Sequence, residues 1–485
     1  MSQIPTDCLN DIFEYLEDDK STLYSCLLVN RLWCEISVRI LWRNINNYNN
    51  RAYSTLISCL SNESKEILSM NNIIILIPTT KFPTFNYPSF CKVLSIRHVQ
   101  CEIKNLLKNQ QPISPQIFNN INIVVQEICK MFINQISSLK RLDLRQYTIM
   151  QIPIFTSYPE AKDCLRNLSE LFCDLDTSSE ILYQLSRICH NISLLRINSY
   201  NLNFTLDGLV NLISVQKNLK HFIMTQDHGV KNISPLITKL PNTLIKLSLY
   251  EYNYVSLSFI AKFSNLQELE LSLVCDENFI DFEKLSYVSF PQLKILRFQH
   301  SRPNNELLIR FLENNGKNLN ELYISFENSG YNDNSLNLVI SKFCTNLRKF
   351  SGGFKNNELE LILKSCKYLK SIEIFCGDKL LSEKEALSEV VKYSHENISE
   401  IILRLHYCCT QPEELLPKEL ESLIAGLANY VPQRALSLVI VTNDHCKESF
   451  DKNEKNMKVV KKYIELGVIK SFKIKGYDDL FGMHY

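Results

Sequence analysis

The residues of this 485-residue chain that could perform covalent or metal chemistry are its nine histidines and seventeen cysteines. They do not fall into the spacings that a zinc site or a hydrolase nucleophile requires, since the sequence has no His-Glu-x-x-His, no Cys-x-x-Cys and no Gly-x-Ser-x-Gly. The paired acids Glu413–Glu414 and Asp478–Asp479 are adjacent, so their side chains point apart in regular structure. The pair Gly352-Gly353 predicts a turn after a strand, not a phosphate loop. We therefore predict no catalytic centre, no metal and no cofactor.

The sequence contains more residues suited to binding a protein than to catalysis, because charged and aromatic residues recur at alternate positions of a repeated phrase. Tyrosine, phenylalanine and arginine are typical anchors of protein interfaces. Alternation along a strand sends these residues to one face, which is basic in the first repeats and mixed to acidic in the later ones. We predict that this face binds a target protein through Arg141, Arg145, Arg196, Lys246, Tyr250, Glu268, Glu270, Arg297, Tyr323, Phe375 and Arg404.

The phrase has the form Asn-Leu-x-x-Leu-x-Leu and recurs at intervals of 22 to 29 residues. This interval is typical of leucine-rich repeats. Weaker copies follow at Ala435 and Ile469. The first apolar positions of the eleven clear copies are Leu139, Leu168, Ile192, Leu219, Leu244, Leu266, Leu293, Leu319, Leu347, Leu369 and Ile398.

Each phrase predicts one short parallel strand, and the stretch after it has the apolar spacing of a return helix. Neighbouring strands lie about 4.8 Å apart, whereas packed helices need about 8 to 10 Å. Stacking such units should therefore curve the array. The predicted fold class is α/β, with three N-terminal helices followed by a curved solenoid that has a parallel sheet inside and helices outside.

The first forty-five residues contain more apolar surface than three short helices can bury among themselves. Leu9, Ile12, Phe13 and Leu16 follow the spacing of one helical face, and both tryptophans of the chain lie in this segment. Units of about forty residues rarely fold without a disulfide, a metal or a partner. The segment should therefore dock on another protein.

These residues, with Cys26-Leu27-Leu28-Val29-Asn30-Arg31-Leu32-Trp33 and Leu41-Trp42, resemble an F-box. Ile-Pro stands where that family has Leu-Pro, and Asn30 stands where a cysteine often follows the central valine. Cysteines three residues before the leucine of a phrase, such as Cys189, Cys344 and Cys366, resemble the repeats common in F-box proteins; we predict small buried helix-end residues.

The resemblance implies a non-enzymatic substrate receptor of an SCF-type ubiquitin ligase. It would bind a Skp-type linker protein, through that linker a cullin scaffold, and a target protein that the sequence does not identify. We expect Ile12 and Val29 to form part of the small internal core instead of contacting the linker. The predicted linker-binding residues are Ile4, Pro5, Leu9, Ile12, Phe13, Leu16, Leu23, Leu27 and Trp33.

Composition limits the choice of partners and compartments. With 53 basic and 52 acidic residues the net charge is +1, so no overall field favours nucleic acid or an anionic membrane. No apolar run is long enough to span a bilayer. Scattered cysteines without a framework spacing suit reduced thiols in the cytosol or nucleus.

The predicted organisation is an F-box over residues 1–45, a connecting region of degenerate first repeats over 46–136, and a repeat solenoid over 137–485 with irregular last repeats. Within the connecting region we predict helices at 52–60 and 116–136 and a strand at 93–96. Two other functions stay open, namely a repeat scaffold or inhibitor without a ligase role, and a hydrolase with a clustered active site.

Overall fold

The computed structural model describes residues 5–75, 83–110, 116–145, 152–153, 155–199, 205–226, 233–250, 256–274, 276–325, 334–355, 357–377, 379–395, 397–405, 415–430, 436–443, 446 and 449–476. The chain divides into two compact units, Met1–Ile223 with Pro235–Pro241, and Met224–Ser234 with Asn242–Tyr485.

Three helices open the first unit, and their bounds follow from capping and turn residues. The carboxylate of Asp19 accepts a hydrogen bond from Thr22 N, and the amide oxygen of Asn30 accepts one from Trp33 N. Side-chain acceptors of this kind satisfy N–H groups that a helix start leaves without partners. The helices are α1 (Thr6–Glu14), α2 (Lys20–Cys26) and α3 (Arg31–Leu41).

The rest of the first unit alternates helices with short strands. Its remaining helices are α4 (Asn50–Ser58), α5 (Asn62–Met70), α6 (Ile96–Gln110), α7 (Ile117–Gln135), α8 (Ala161–Leu165), α9 (Ser179–Ile188), α10 (Asp207–Ser214) and α11 (Ser234–Lys239). Its strands are β1 (Val93–Ser95), β2 (Arg141–Asp143), β3 (Glu170–Asp174), β4 (Leu194–Ser199) and β5 (His221–Gln226), with β5 continuing into the second unit.

The second unit repeats the same alternation. Its strands are β6 (Lys246–Tyr250), β7 (Glu268–Leu273), β8 (Ile295–His300), β9 (Glu321–Ile324), β10 (Lys349–Gly353), β11 (Ser371–Cys376), β12 (Glu400–Leu405), β13 (Leu436–Val441) and β14 (Ile469–Lys475). Its helices are α12 (Phe282–Ser286), α13 (Asn305–Asn315), α14 (Asn334–Phe343), α15 (Glu358–Ser365), α16 (Glu383–Tyr393), α17 (Pro417–Tyr430) and α18 (Glu454–Glu465).

Strand order follows chain order within each unit, and the paired strands are parallel. Each strand from β2 to β12 begins two residues after the first apolar position of its phrase, and all eleven of those positions are at least 98% buried. The predicted phase of the repeats is therefore confirmed, as is the fold class of N-terminal helices followed by parallel strands with return helices. The predicted curvature of the array stays a prediction.

The core lies between the strands and the helices that return from them. In the second unit consecutive helices from α12 to α18 pack side by side, while Leu269, Leu271 and Leu273 of β7 are fully buried. Glu268 and Glu270 alternate with these leucines on the opposite face. We call the face that carries Glu268, Glu270 and their paired neighbours the strand face.

The predicted helix-end cysteines are buried where the helices stop. Cys189 and Cys366 follow the last residues of α9 and α15, and Cys344 follows α14. The thiols of Cys189 and Cys366 donate to the carbonyl oxygens of Leu165 and Cys344 in neighbouring repeats. Burial raises the pKa of Cys189 and Cys366 to about 12, so these side chains remain protonated, inert packing groups.

Buried side-chain amides join other pairs of neighbouring repeats. Gln216 Oε1 accepts from Ile192 N at 2.9 Å, and its Nε2 donates to Cys189 O at 2.8 Å. Asn315 Oδ1 accepts from Phe290 N at 2.7 Å, and its Nδ2 donates to Val288 O at 3.0 Å. Each amide satisfies backbone groups of the preceding repeat that would otherwise be buried without a partner.

Gly316, directly after Asn315, lies where its backbone closely approaches Phe343 and Cys344 of the next repeat. A Cβ built there would lie 2.7 Å from Cys344 Sγ and 3.2 Å from Phe343 O. No larger residue fits between these repeats without a shift of the backbone.

The connecting region contributes the first strand of the sheet. Within residues 46–136 the predicted strand is confirmed as β1, which pairs with β2, and the two predicted helices are confirmed as α4 and α7 within two residues at each end. The sequence did not predict α6, whose start follows β1 without a break. The boundaries of the three predicted domains stay predictions.

The expectation of a turn at Gly352-Gly353 is wrong. Both glycines belong to β10, where they pair with Ile374 and Phe375 of β11. A Cβ at Gly352 would lie 2.8 Å from Cζ of Phe350, so the absence of a side chain lets the Phe350 ring pack against the strand.

The helices in the described part of the chain were also compared with the length and hydropathy of a membrane span, and none of them meets both requirements.

Candidate functional site

The N-terminal helices form a small core of their own. Leu9 and Phe13 of α1, Leu23 and Cys26 of α2, and Ile36 and Ile40 of α3 are buried together, with Leu16, Leu32, Trp33 and Leu41 packed around them. The Phe13 and Trp33 rings meet edge to face with centroids 5.1 Å apart. Three of the predicted linker-binding residues, Leu9, Phe13 and Leu23, belong to this core and are at most 6% exposed, and their contact with a linker stays a prediction.

The expectation that Ile12 and Val29 belong to this core is wrong. Ile12 is 50% and Val29 56% exposed, and Tyr15, Tyr24 and Leu28 are exposed to 91%, 58% and 89%. Ile12 lies at the edge of the α1 face that carries Leu9 and Phe13, and Tyr15, the C-cap, lies one turn later and farther from that face. The sequence missed this difference because a residue at the edge of a buried face has the same apolar spacing as one at its centre.

We call the set Ile12, Tyr15, Tyr24, Leu28 and Val29 the exposed apolar set. Five of the 19 large hydrophobic side chains that are exposed in the described part of the chain fall within these eighteen residues. Exposed apolar residues that are concentrated in this way, and not scattered singly, indicate an interaction site. Of the other predicted linker-binding residues, Pro5 is exposed, and Leu16, Leu27 and Trp33 are half-buried. Ile4 lies outside the described residues.

An ion pair ties α1 to the end of α3. Arg43 donates from both terminal nitrogens to the Glu14 carboxylate at 2.6 and 2.7 Å, and lies 3.7 Å from Glu17. This hydrogen-bonded pairing lowers the pKa of Glu14. The carbonyl oxygen of Arg43 accepts hydrogen bonds from Lys92 N and Val93 N, which connects the three helices to the first strand.

The predicted target-binding residues are held by neighbours on the strand face of each unit. In the first unit Arg141 pairs with Glu170 at 2.5 Å and Arg145 with Asp143 at 2.8 Å. Both guanidinium groups also lie about 5 Å from the centroid of the Phe172 ring. Arg196 is half-buried on β4. These residues form a fixed charged and aromatic surface.

In the second unit a ladder of ion pairs crosses several strands. Lys246 Nζ lies 2.8 Å from Glu268, and Arg297 pairs with both Glu268 and Glu321. Burial alone would raise the pKa of Glu268, but the hydrogen bonds and positive charges of Lys246 and Arg297 outweigh it and lower the pKa. Tyr250 is half-buried at the end of β6.

Glu270 and Arg404 are the most buried charged members of this ladder. Glu270 is 6% exposed and accepts hydrogen bonds from Gln299 Nε2 at 2.7 Å and Ser248 Oγ at 3.2 Å. Arg404 is 7% exposed and donates from Nε to Glu373 Oε1 at 2.6 Å. Charged groups this deeply buried need such partners.

A pocket of about 290 Å³ opens on the strand face between β8 and β12. Four predicted target-binding residues, Arg297, Tyr323, Phe375 and Arg404, line it together with Glu373. The guanidinium of Arg297 lies 4.9 Å from the Tyr323 ring centroid, and that of Arg404 lies 5.3 Å from the Phe375 ring centroid. Burial raises the pKa of Tyr323 to about 12, so its hydroxyl is protonated at neutral pH.

Several other lining residues were not predicted, among them Ser351, Gln299 and His300. Ser351 faces the pocket from β10, Gln299 from β8, and His300 ends β8 with a left-handed backbone at φ 64°. A non-glycine residue in this conformation is strained and is held by its surroundings. The neutral serine and glutamine were overlooked because only charged and aromatic positions of the phrase were counted as binding residues.

Groups of histidine, cysteine or carboxylate that could hold a metal ion do not occur among the described residues. The acid pairs Glu413–Glu414 and Asp478–Asp479 lie outside that part of the chain.

Comparison with known proteins finds a family match at the N-terminus. Residues 1–48 match the family model described as F-box-like. No curated protein matches the chain.

Three solved structures align weakly with the chain. The leucine-rich repeat-containing protein LegL7 of Legionella pneumophila aligns at 15% identity and a TM-score of 0.33, covering 62% of this chain and 94% of its own. An internalin of Listeria monocytogenes aligns at 13% identity and a TM-score of 0.32, covering 57% and 83%. A chain of the Rad7 and Elc1 complex in yeast aligns at 15% identity and a TM-score of 0.40, covering 93% and 96%.

Proposed function

We propose that this chain, an F-box-like domain followed by a leucine-rich-repeat array, is the substrate-recognition subunit of an SCF-type ubiquitin ligase. The N-terminal helices bind a Skp-type linker protein, which joins the chain to a cullin scaffold. The strand face binds a target protein, and other subunits transfer ubiquitin to it. The chain itself performs no catalysis in this scheme.

The observation that carries the proposal is the exposed apolar set inside the region that matches the F-box-like model. A surface with Leu28 89% and Tyr15 91% exposed loses free energy when a partner removes it from water. Its residues come from α1 and its C-cap, from α2 and from the turn after α2, whereas the internal core is already complete without them. A protein partner of apolar character therefore accounts for their exposure.

The proposal is tested by binding the intact chain to a purified Skp-type linker. We expect Leu28→Asp and Ile12→Asp each to weaken binding by about 30-fold or more, the effect of burying an unpaired charge at an interface centre. Leu338→Asp on α14 is the matched control, since Leu338 is 56% exposed, and should bind within about twofold of the wild type.

If the wild-type chain does not retain the linker, or if the aspartate variants bind as well as the control, the ligase role is wrong. The chain would then be a repeat scaffold or inhibitor. With binding established, proximity labelling under proteasome inhibition, comparing the intact chain with a chain that lacks residues 1–45, should identify the target.

A further inference from the structure

The strand-face pocket exists because β10 carries two very small residues, Ser351 and Gly353, on the strand face. Ser351 of β10 lies between Tyr323 of β9 and Glu373 of β11 in the same row, and Gly353 pairs with Phe375 in the next row. Large side chains therefore stand on both sides of a strand that contributes almost none. The space above β10 is therefore empty and is bounded by the side chains of the two neighbouring strands.

The hydroxyl of Ser351 points to a ligand with a polar atom. Ser351 lines the pocket, and within the described part of the chain its Oγ makes no hydrogen bond to a protein group. Its hydroxyl is therefore left to solvent, and a guest with a polar atom can bond to it in place of solvent.

The charges around the pocket argue against a charged guest. Arg404 is held by Glu373, and Arg297 is shared between Glu268 and Glu321. A phosphate or carboxylate would have to compete with these carboxylates for the arginines, and a cation would have to displace an arginine from Glu373. A neutral guest disturbs none of these pairs.

The remaining surface favours an aromatic guest. The rings of Tyr323 and Phe375 stand on opposite sides of β10, and each is packed against a guanidinium plane. Such rings attract another aromatic ring in stacked or edge-to-face arrangements. At about 290 Å³ the pocket is just below the range of small-molecule sites, about 300 to 1,000 Å³, and suits one large side chain.

We infer that this pocket binds one unmodified tyrosine or tryptophan side chain of the target protein, with its polar atom hydrogen-bonded to Ser351. The side chain packs on the half-buried ring of Tyr323, with Phe375, which is 5% exposed, closing the pocket beside it, and leaves the arginine–glutamate pairs intact. That the guest belongs to a ubiquitination target rests on the proposed receptor role.

The test uses the full chain and single amino-acid amides observed by saturation-transfer NMR. N-acetyl-tyrosinamide and N-acetyl-tryptophanamide should bind, whereas the amides of phosphotyrosine, leucine and arginine should bind at least about tenfold more weakly. Ser351→Phe fills the pocket and should abolish the signal. Ser437→Phe is the control, because Ser437 lies on the strand face of β13 beyond the pocket and should leave the signal unchanged.

A second variant tests the hydrogen bond separately. Ser351→Ala keeps the cavity open, so it should bind N-acetyl-phenylalaninamide as well as the wild type does, but lose the wild-type preference for tyrosine over phenylalanine, about two- to tenfold. Thermal unfolding of each variant identifies any that fails to fold, and Tyr323→Ala then replaces Ser351→Phe as the disruptive change.

Equal or tighter binding of the phosphotyrosine, leucine or arginine amide overturns the inference, as does unchanged binding by a folded Ser351→Phe variant. Linker binding is measured on the same preparations. Retained linker with no aromatic binding refutes the pocket alone, whereas aromatic binding without linker refutes the receptor role and leaves the pocket standing.

Discussion

Glu383 is a buried carboxyl group that connects two distant segments of the second unit. It lies at the start of α16, is 1% exposed, and accepts hydrogen bonds from Ser449 Oγ at 3.1 Å and Phe450 N at 3.0 Å. Burial raises the pKa of Glu383 from about 4.5 to about 7, although these hydrogen bonds oppose the shift. Its charged form is therefore disfavoured in the folded protein.

This shift makes stability depend on pH in a defined direction. Because the folded pKa is raised, the contribution of Glu383 is fully present below about pH 4.5 and is lost as the pH rises through about 7. Relative to Glu383→Gln, the free energy of unfolding of the wild type should fall by up to about 3 kcal/mol between pH 4.5 and 7 and then level off.

Urea unfolding at four pH values from 5 to 8 measures this difference. Glu313→Gln, an exposed position on α13, is the control and should follow the wild-type curve. Parallel curves for the wild type and Glu383→Gln would show that Glu383 does not titrate in this range.

At the scale of the element, the repeats are held together by backbone pairing, apolar packing and a few buried amides. Asn315 bonds to both the preceding repeat and its own helix, since Nδ2 also donates to Phe311 O at 3.0 Å. Asn315→Ala removes the acceptor of Phe290 N, and a buried group without a partner costs about 1 to 3 kcal/mol. We expect a loss of that size in the free energy of unfolding.

Asn346→Ala provides the comparison. The Asn346 amide donates to Lys317 O at 2.8 Å but is exposed, so water can replace the bond and the change should be within about 0.5 kcal/mol. Hydrogen exchange at the Phe290 amide locates the effect. Equal losses in the two variants would mean that the buried amide does not couple the repeats.

Strands that carry the repeated leucine phrase could be predicted from the sequence, whereas α6 was not, although its buried Ile96, Val99 and Ile103 follow a helical spacing. The leucines of the phrase fix the strands because the same positions are buried in every copy. The amides of Gln216 and Asn315 were missed because their role depends on backbone groups of a preceding repeat. The site was predicted in part, since Arg297 and Tyr323 carry an interface signal whereas Ser351 matters only through its neighbours.

At the scale of the whole molecule, a balanced charge leaves little repulsion between copies. The net charge is +1 and the isoelectric point is about 7.4. Proteins near zero net charge associate readily, and the exposed apolar set adds a surface for such association. We therefore expect the isolated chain to be least soluble near pH 7.4.

Light scattering of the purified chain between pH 6 and 9 tests this expectation. Leu28→Asp should increase solubility across that range while leaving the minimum close to pH 7.4, because one charge changes the isoelectric point only slightly. A solubility that changes in one direction across the range would contradict the argument from net charge.

The agreement between strand order and chain order also has a consequence for synthesis. Each strand from β7 to β14 pairs with the strand that precedes it in the chain. A protein emerges from the ribosome N-terminus first, so the template for each new strand is already present when its sequence leaves the tunnel. The nascent chain can therefore fold by successive addition, without waiting for a distant C-terminal segment.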